Sequence, residues 1–414
     1  MQTGWRVGSI FGIPFYIDSS WLVIVFIYTL ISGEDLQIIY PQWGVFLPWV
    51  IGFVMAILLF GSVLLHELGH SLVAKSQGIK VNSITLFLFG GIASIDRESH
   101  TPGLAFQVAI AGPMVSLGLY ALLTLGGSLL PEVSPARFLV TDLATINLVV
   151  GLFNLIPGLP LDGGQILKAA VWKIKGNRFE GIHWAARTGK VLGWITIALG
   201  AFASLSNFSY IWLALVGWFI VRNANAYDEI TNLQEALLQL TAADAMTRDF
   251  RVIDADMTLR HFADDYILQA PDKFQVYFAA SDGRYRGLVS LDDFRIVERS
   301  LWEVKTVHSI VKPLNAIATV QEKTALVEVI SLLEAANLPR VTVLSPAGAV
   351  AGIIDRGDVV RAMAQKLKFN IPEAQIKRIK QEGAYPPGMP IPAIAESAME
   401  AQDTQNNQSL LEIK

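Results

Sequence analysis

Long apolar runs in the N-terminal half constrain the fold of this chain more than any other feature. About 20 apolar residues are needed to cross a hydrocarbon core of about 30 Å, because a helix rises about 1.5 Å per residue. The sequence predicts six membrane spans, at about 15–33, 47–73, 104–130, 139–158, 189–206 and 209–223. We therefore expect residues 1–225 to form a polytopic α-helical membrane domain.

The distribution of lysine and arginine predicts how these spans are oriented. The segments that follow the second and fourth spans are basic, whereas residues 34–46 contain neither lysine nor arginine. Basic loops stay on the cytoplasmic side of a membrane. We therefore expect an integral, multi-pass protein with both termini in the cytoplasm. A bacterial cytoplasmic membrane is the expected location, and a thylakoid or plastid membrane is the alternative.

The composition limits the partners and ligands that the chain can use. Charged residues make up only 16% of it, against about 25% in soluble domains, so membrane lipid is an expected partner. The net charge of −4 gives no electrostatic reason to expect a nucleic acid partner. The sequence contains no cysteine, so a zinc site would have to use histidine and carboxylate ligands.

A repeated motif marks the C-terminal part of the chain, where the composition becomes that of a soluble protein. The segment Gly287–Phe294 recurs as Gly352–Val359, and each copy lies in a predicted unit of alternating strands and helices. Two such α/β units normally pack together, because neither buries a full core alone. The expected regions are a linker helix at 226–240, α/β units at 241–303 and 304–368, and a disordered, proline- and amide-rich tail at 369–414.

The strongest chemical motif is His-Glu-Leu-Gly-His in the second span. His66 and His70 are four residues apart, so their imidazoles share one helix face and can hold one metal ion. Glu67 lies beside that face, where it can take a proton from water as a general base. Three ionisable groups so close together in an apolar span are costly unless they are paired or bind a metal. Capping or core polar roles are the less favoured alternative.

A third metal ligand is expected in the segment that ends the fourth span. Catalytic zinc usually has three protein ligands, and Asp162 lies at the same membrane depth as the two histidines by the predicted topology. Pro157 and Pro160 end the helix, and Gly163 and Gly164 would let the backbone pass close to the metal. The alternative is an ordinary turn after a helix.

Together these motifs resemble the site-2 protease family of intramembrane zinc metalloproteases. His66–His70 is similar to the family's first signature, and Asn154–Gly163 is similar to its second. The segments Leu86–Ile95 and Ala109–Leu117 are also similar to segments of the family. The resemblance covers roughly residues 1–225.

This resemblance implies roles for individual residues. One Zn²⁺ would be held by His66, His70 and Asp162, with Glu67 as the general base. Asn154 would take part in catalysis by stabilising the tetrahedral oxyanion. The alternative for Asn154 is a hydrogen bond between membrane helices.

The resemblance also implies a binding surface for the substrate. Residues Phe87–Ile95 would form a strand or hairpin that dips into the membrane and pairs with an unwound substrate. Gly90 and Gly91 would permit its bend, and Asn147 would bind the substrate backbone. The alternatives are a short buried strand and, for Asn147, hydrogen bonding between helices.

The repeated α/β unit resembles a tandem pair of CBS domains. Gly287–Asp293 has the family pattern, whereas the second copy has Asp355 where serine or threonine is usual. The resemblance implies binding of an adenine nucleotide by Ser290, Asp293 and Asp358, with the second site empty or altered because of Asp355. CBS pairs also form homodimers, and a purely structural or dimerising module is the alternative.

The function implied is hydrolysis of a peptide bond in or near a transmembrane helix of a membrane-anchored regulator, such as an anti-sigma factor. Nucleotide binding to the CBS pair on the cytoplasmic side would modulate this regulated intramembrane proteolysis. A CBS-regulated membrane transporter is one alternative, but it predicts ionisable residues along several spans. A catalytically inactive scaffold is another, although it would not need the general base Glu67.

Overall fold

The computed structural model describes residues 4–87, 90–132, 134–268, 276–386 and 388–412, with side chains described up to residue 402. It divides into two compact units. The first contains residues 1–229 and 404–414, and the second contains residues 230–403.

Seven helices lie wholly or mainly in the described part of the first unit. They are α1 (Ser19–Ile39), α2 (Leu47–Ser76), α3 (Pro102–Gly127), α4 (Pro135–Asn154), α5 (Asp162–Lys175), α6 (Arg178–Ser204) and α7 (Ile211–Gln239), of which the last continues into the second unit. Pro102 and Pro135 occupy first helical positions, where a missing N–H costs nothing. The side chains of Thr101 and Ser134 cap the same helices by accepting backbone hydrogen bonds.

The predicted membrane domain is confirmed at the level of four helices. Among the described residues, α1, α2, α3 and α4 are long and apolar enough to cross a membrane. They correspond to the first four predicted spans, and α4 ends at Asn154, before the prolines that were expected to break it. The fifth and sixth predicted spans overlap α6 and α7, which do not meet the same criterion of length and hydropathy. The total of six spans therefore stays a prediction.

A four-stranded sheet accompanies these helices in the first unit. Its strands are β1 (Trp5–Ile10), β2 (Ile13–Ile17), β3 (Val81–Phe87) and β4 (Gly90–Ile95), in that spatial order. The pair β2–β3 is parallel and the other pairs are antiparallel, so β4 is an edge strand. The expected hairpin is therefore β3–β4, although Leu88 and Phe89 at its turn lie outside the described residues. Its position within a membrane stays a prediction.

The second unit contains two sheets of related design. Its strands are β5 (Phe250–Asp254), β6 (Val276–Ser281), β7 (Arg284–Val289), β8 (Val311–Pro313), β9 (Thr319–Gln321), β10 (Val341–Leu344) and β11 (Val350–Ile354). Its helices are α8 (Ala242–Ala245), α9 (Leu259–Phe262), α10 (Leu291–Ile296), α11 (Leu326–Ala335), α12 (Arg356–Leu367), α13 (Glu373–Glu382) and α14 (Ile391–Glu412), of which the last belongs to this unit up to residue 403. The strand β6 pairs parallel to β5 and antiparallel to β7, and β10 pairs in the same way with β9 and β11. This shared pattern agrees with the repeat in the sequence.

The expectation of a disordered tail at 369–414 is wrong for most of that segment. The helices α13 and α14 place Ile376, Ile379, Ile391 and Ala398 in the same buried core as Ile354. The average composition of the tail does not reveal this role. Its apolar residues are few, but they recur at helical spacing and so cover one helix face. The predicted linker helix also contributes to this core through its leucines, Leu237 and Leu240.

Glycines allow the backbones of α6 and α7 to approach closely in the first unit. A Cβ atom at Gly217 would lie 2.6 Å from the carbonyl oxygen of Gly193 and 2.7 Å from the backbone nitrogen of Ile197. A Cβ atom at Gly200 would overlap the backbone of Ala214. Small residues at a contact of this kind are typical of membrane helices, whose association depends on close packing. The pair is therefore built as a tightly packed helical hairpin.

We expect Gly217→Ala to destabilise the first unit by about 1–3 kcal/mol, because the added methyl group must push apart two backbones. Thermal unfolding of the detergent-purified protein measures the effect. The control is Gly126→Ala in α3, where an added Cβ atom meets no other atom within 4 Å. Equal unfolding midpoints for the two variants would contradict this account of the hairpin.

Candidate metal centre

The helix α2 carries the motif that the sequence singles out. His66 and His70 are buried, at 5% and 9% exposure, and Glu67 between them is half-buried. Gly69 lies against α3, because a Cβ atom there would be 3.0 Å from the carbonyl oxygen of Ala111. The absence of a side chain at Gly69 thus lets α3 come close enough to complete the surroundings of both imidazoles.

Three ligand atoms converge at one point, as the sequence predicted. Asp162 Oδ2 lies 3.1 Å from His66 Nε2 and 3.3 Å from His70 Nε2, and the two Nε2 atoms are 3.3 Å apart. Atoms bound about 2.0–2.1 Å from a tetrahedral zinc ion lie about 3.3–3.4 Å from one another. The three side chains therefore fit zinc in both chemistry and spacing, and together they could hold one such ion.

Helix α3 fixes the outer nitrogen of each imidazole. His70 Nδ1 lies 2.6 Å from the carbonyl oxygen of Val108. A carbonyl oxygen only accepts, so Nδ1 carries the proton and Nε2 of the neutral ring keeps its lone pair for a metal. His66 Nδ1 pairs with Ser116 Oγ at 2.9 Å. The sequence did not predict either partner, although both lie in or beside the segment Ala109–Leu117, which is similar to a segment of the family.

A second feature of α3 is a glycine directly opposite the imidazoles. A Cβ atom at Gly112 would overlap His70 Nε2 and would lie 2.6 Å from His66 Nε2. Any side chain at this position would therefore take the space in which the two ligand atoms meet. The noted segment Ala109–Leu117 includes Gly112, but the sequence alone gave no reason for a glycine there.

Asp162 owes its place to a compact loop, residues 155–161, between α4 and α5. Leu159 in this loop is buried, and its N–H donates to the carbonyl oxygen of Ala185 in α6. A Cβ atom at Gly163 would overlap the carbonyl oxygen of Leu155, and one at Gly164 would overlap the backbone of Leu159. The closest contacts of these glycines are with the loop backbone, and their approach to the metal stays a prediction.

The edge strand β4 lies directly over the candidate general base. A Cβ atom at Gly91 would be 2.6 Å from Glu67 Cγ, and the backbone N–H of Ala93 donates a hydrogen bond to the Glu67 carboxylate. Gly90 has φ +132°, in the region that favours glycine. Both glycines are thus required by the hairpin, one for its bend and one for its contact with Glu67.

The two asparagines of α4 have different surroundings. Asn147 is buried, and its Nδ2 donates to Ser62 Oγ of α2 at 3.0 Å and to the Leu143 carbonyl oxygen at 2.8 Å. This is the hydrogen bond between helices that the sequence left as an alternative. Asn154 is half-buried at the last position of α4, just before the loop that leads to Asp162. Roles in substrate binding or catalysis stay predictions for both.

In the second unit the candidate nucleotide residues lie at the starts of α10 and α12. Ser290 Oγ accepts a hydrogen bond from the Asp293 backbone N–H at 3.2 Å. The equivalent Asp358 is 1% exposed, and its Oδ1 lies 2.6 Å from Lys380 Nζ and 3.1 Å from Arg361 Nη1. The contact of Lys380 with Asp358 was not predicted, because Lys380 lies in the segment that was expected to be disordered.

Comparisons with known proteins agree with this geometry. Peptidase family M50 matches residues 54–137 and 128–196, and the CBS domain family matches residues 307–365. The two ranges matched by peptidase family M50 together include both histidines, the α3 segment and Asp162. The second match covers most of the second α/β repeat.

The chain is also similar over most of its length to individual metalloproteases. The Synechocystis sp. protein sll0528, provisionally named a zinc metalloprotease, is 41% identical over 88% of this chain and 96% of its own. Zinc metalloprotease MJ0392 of Methanocaldococcus jannaschii is 30% identical over 87% of this chain and 96% of its own. The solved site-2 protease from Methanocaldococcus jannaschii is 32% identical, covers 54% of this chain and 95% of that one, and superposes with a TM-score of 0.39.

Identity of this extent, together with the family match across the ligand-bearing helices, supports a single assignment. The chain belongs to peptidase family M50, the site-2 protease family of zinc-dependent proteases, and it carries a CBS domain in its C-terminal part.

Proposed function

We propose that this protease hydrolyses a peptide bond in or near the transmembrane helix of a membrane-anchored regulatory protein, such as an anti-sigma factor. The observation that carries the proposal is the meeting of His66, His70 and Asp162 on an apolar helix that is long enough to span a membrane. The basic loops favour a cytoplasmic position for the CBS region and both termini, and the proposed location is a bacterial cytoplasmic membrane.

The side chains at this site can divide the chemistry of hydrolysis among them. His66, His70 and Asp162 would hold the ion, and zinc when bound supplies a Lewis acid that polarises the peptide carbonyl and acidifies water. Glu67 lies beside the ligands, where its carboxylate can take a proton from the attacking water and deliver it to the leaving amine. Asn154, at the end of α4, is proposed to donate a hydrogen bond to the oxyanion.

One edge of β4 pairs with no other strand in the described part of the chain and offers a place for the substrate. A transmembrane helix hides its peptide bonds within its own hydrogen bonds, so it must unwind before cleavage. Pairing with an edge strand would satisfy the exposed N–H and C=O groups of the unwound segment. Gly91 and Ala93 face Glu67, whereas Ile92 is 58% exposed on the opposite face of the strand. A paired substrate would therefore lie close to the general base. Asn147 of α4 is proposed to bind the substrate backbone.

We also propose that an adenine nucleotide binds the CBS pair and modulates cleavage. The first copy presents Ser290 and Asp293 at the start of α10, and the Asp293 side chain is 47% exposed. At the second copy Lys380 Nζ lies 2.6 Å from Asp358 and 3.4 Å from Asp355. A nucleotide that used Asp358 would have to displace this lysine, so the first copy is the proposed site. Homodimerisation through this region stays a prediction.

The general base has the most direct test. We expect Glu67→Gln to bind zinc normally but to cleave a tagged single-span substrate at least about 100-fold more slowly, because the amide cannot take a proton. Zinc content and cleavage are measured on the same detergent-purified protein. Glu34→Gln, at an exposed position of α1, is the control. Equal cleavage by both variants would exclude Glu67 as the base.

Gly112 tests the geometry of the ligand site. We expect Gly112→Ala to weaken zinc binding by about 10- to 100-fold, the usual effect of disturbing groups that orient metal ligands. Competition with a zinc chelator measures the affinity. The matched control is Gly118→Ala in the same helix, where an added Cβ atom meets nothing within 4 Å. Unchanged affinity in Gly112→Ala would show that the ligands meet elsewhere.

Lys380 tests the nucleotide proposal. We expect Lys380→Met to add a second binding event for ATP or AMP, because the Asp358 carboxylate loses its closer cationic partner and keeps the pair with Arg361. Isothermal titration of the full chain measures the number of sites. Lys377→Met, on the exposed face of α13, should bind like the unmodified protein. A single site in all three proteins would contradict the proposed role of Lys380. No binding in any of them would contradict the proposal that the CBS pair binds an adenine nucleotide.

A further inference from the structure

Glu98 occupies a position between the edge strand and the helix of the third ligand. It lies in the connection 96–101 that follows β4, and its Oε2 is 2.9 Å from both Lys168 Nζ and Arg178 Nη2. The side chains of Lys168 and Arg178 are only 8% and 12% exposed. Cations as buried as these are costly without an anionic partner, so Glu98 is held firmly although its own side chain is half-exposed.

The two cations belong to the corner between α5 and α6. Lys168 lies on α5, under two turns beyond Asp162, which is the first residue of that helix, and Arg178 is the first residue of α6. A Cβ atom at Gly181 would be 2.5 Å from the carbonyl oxygen of Lys168, so α6 packs directly against α5 here. Glu98 therefore fastens the connection after β4 to a rigid corner that continues to Asp162.

The charge of Glu98 is secure at ordinary pH. Desolvation raises the pKa of its carboxyl group, but the charges and hydrogen bonds of Lys168 and Arg178 outweigh this effect and lower the pKa to about 2. The carboxylate thus stays ionised, and the link between the two elements does not depend on pH in the physiological range.

The strand β4 is held at two places that matter for cleavage. At its start, Gly91 and Ala93 rest on Glu67. Just past its end, the Asp96 N–H donates to the Lys80 carbonyl oxygen at 3.0 Å, and Glu98 follows two residues later. The edge strand therefore connects the helix that bears the general base with the helix that bears the third ligand.

We propose that Glu98 is a positioning residue, whose ion pairs with Lys168 and Arg178 fix the edge of β4 relative to the metal centre. This inference rests on the proposed pairing of substrate with β4. Glu98 does not touch the reacting atoms; it sets where the substrate strand lies above Glu67. If Glu98 only stabilised the fold, its loss would lower the unfolding temperature without a specific effect on substrate placement.

The test uses the absence of cysteine in the natural sequence. In Ile92→Cys protein, a single cysteine on the edge strand can form a disulfide with a cysteine in a tagged test substrate. The substrate is one helix of about 20 apolar residues with a central Asn-Pro break. In this background we expect Glu98→Gln to lower the cross-linking yield and, without the cross-link, to raise KM roughly tenfold. Zinc content and kcat should change little.

Two further variants keep the test decisive. Asp96 lies in the same connection, and its side chain is exposed. Asp96→Asn should therefore cross-link and cleave like the Ile92→Cys protein without it. Lys168→Met should change the cross-linking yield and KM in the same direction as Glu98→Gln but by less, because the pair with Arg178 remains. The double variant should be no worse than Glu98→Gln alone, because Glu98→Gln already removes both ion pairs.

The outcomes separate this inference from the proposal on which it rests. Suppose that the Ile92→Cys protein cross-links to the substrate. If neither Glu98→Gln nor Lys168→Met then changes the cross-linking yield or KM in this background, Glu98 has no positioning role. If Ile92→Cys fails to cross-link while the parent chain cleaves the substrate, pairing with β4 is wrong, and the role of Glu98 falls with it. If the parent chain does not cleave, the proposed function itself fails.

Discussion

The meeting of three polar side chains inside an apolar helix bundle is the constraint on which the rest of this structure depends. Two imidazoles and a carboxylate are costly in such a place unless they share a cation and their remaining polar atoms are satisfied. Helix α3 meets this need by presenting the Val108 carbonyl oxygen and the Ser116 hydroxyl to the outer nitrogens. Gly112 leaves the space that the inner nitrogens require. The α2–α3 contact is therefore part of the candidate metal site.

Close packing at a glycine also shapes the proposed substrate-binding side of the candidate metal centre. Because Gly91 has no side chain, the edge strand can lie directly on Glu67, which brings this strand and the candidate general base together. Beyond the strand, Glu98 ties the chain to the corner that continues to Asp162. The candidate base, the third candidate ligand and the proposed binding edge come from distant parts of the sequence, and packing between backbones holds them in one arrangement.

Sequence alone predicted the parts of the site that have a local signature. The spacing of His66 and His70 fixes a shared helix face, and the shortage of ligands pointed to a carboxylate such as Asp162. It could not predict Val108, since any residue offers the same carbonyl oxygen, and the link from Glu98 to Lys168 joins positions that no local pattern relates. The prediction for the C-terminal tail failed for a different reason. Its average composition suggested disorder, although the spacing of Ile376 and Ile379 is that of a buried helix face.

Zinc X-ray absorption of the full chain tests the central claim most directly, because it reports the ligands themselves. The account predicts one zinc per chain, bound only by nitrogen and oxygen atoms at about 2.0–2.1 Å, with the scattering pattern of two imidazoles. It also predicts that His66→Ala leaves one imidazole, whereas Asp162→Ala leaves two and lowers zinc occupancy. A spectrum that is unchanged by Asp162→Ala, or that requires a third imidazole, would contradict the assignment of His66, His70 and Asp162 as the metal site.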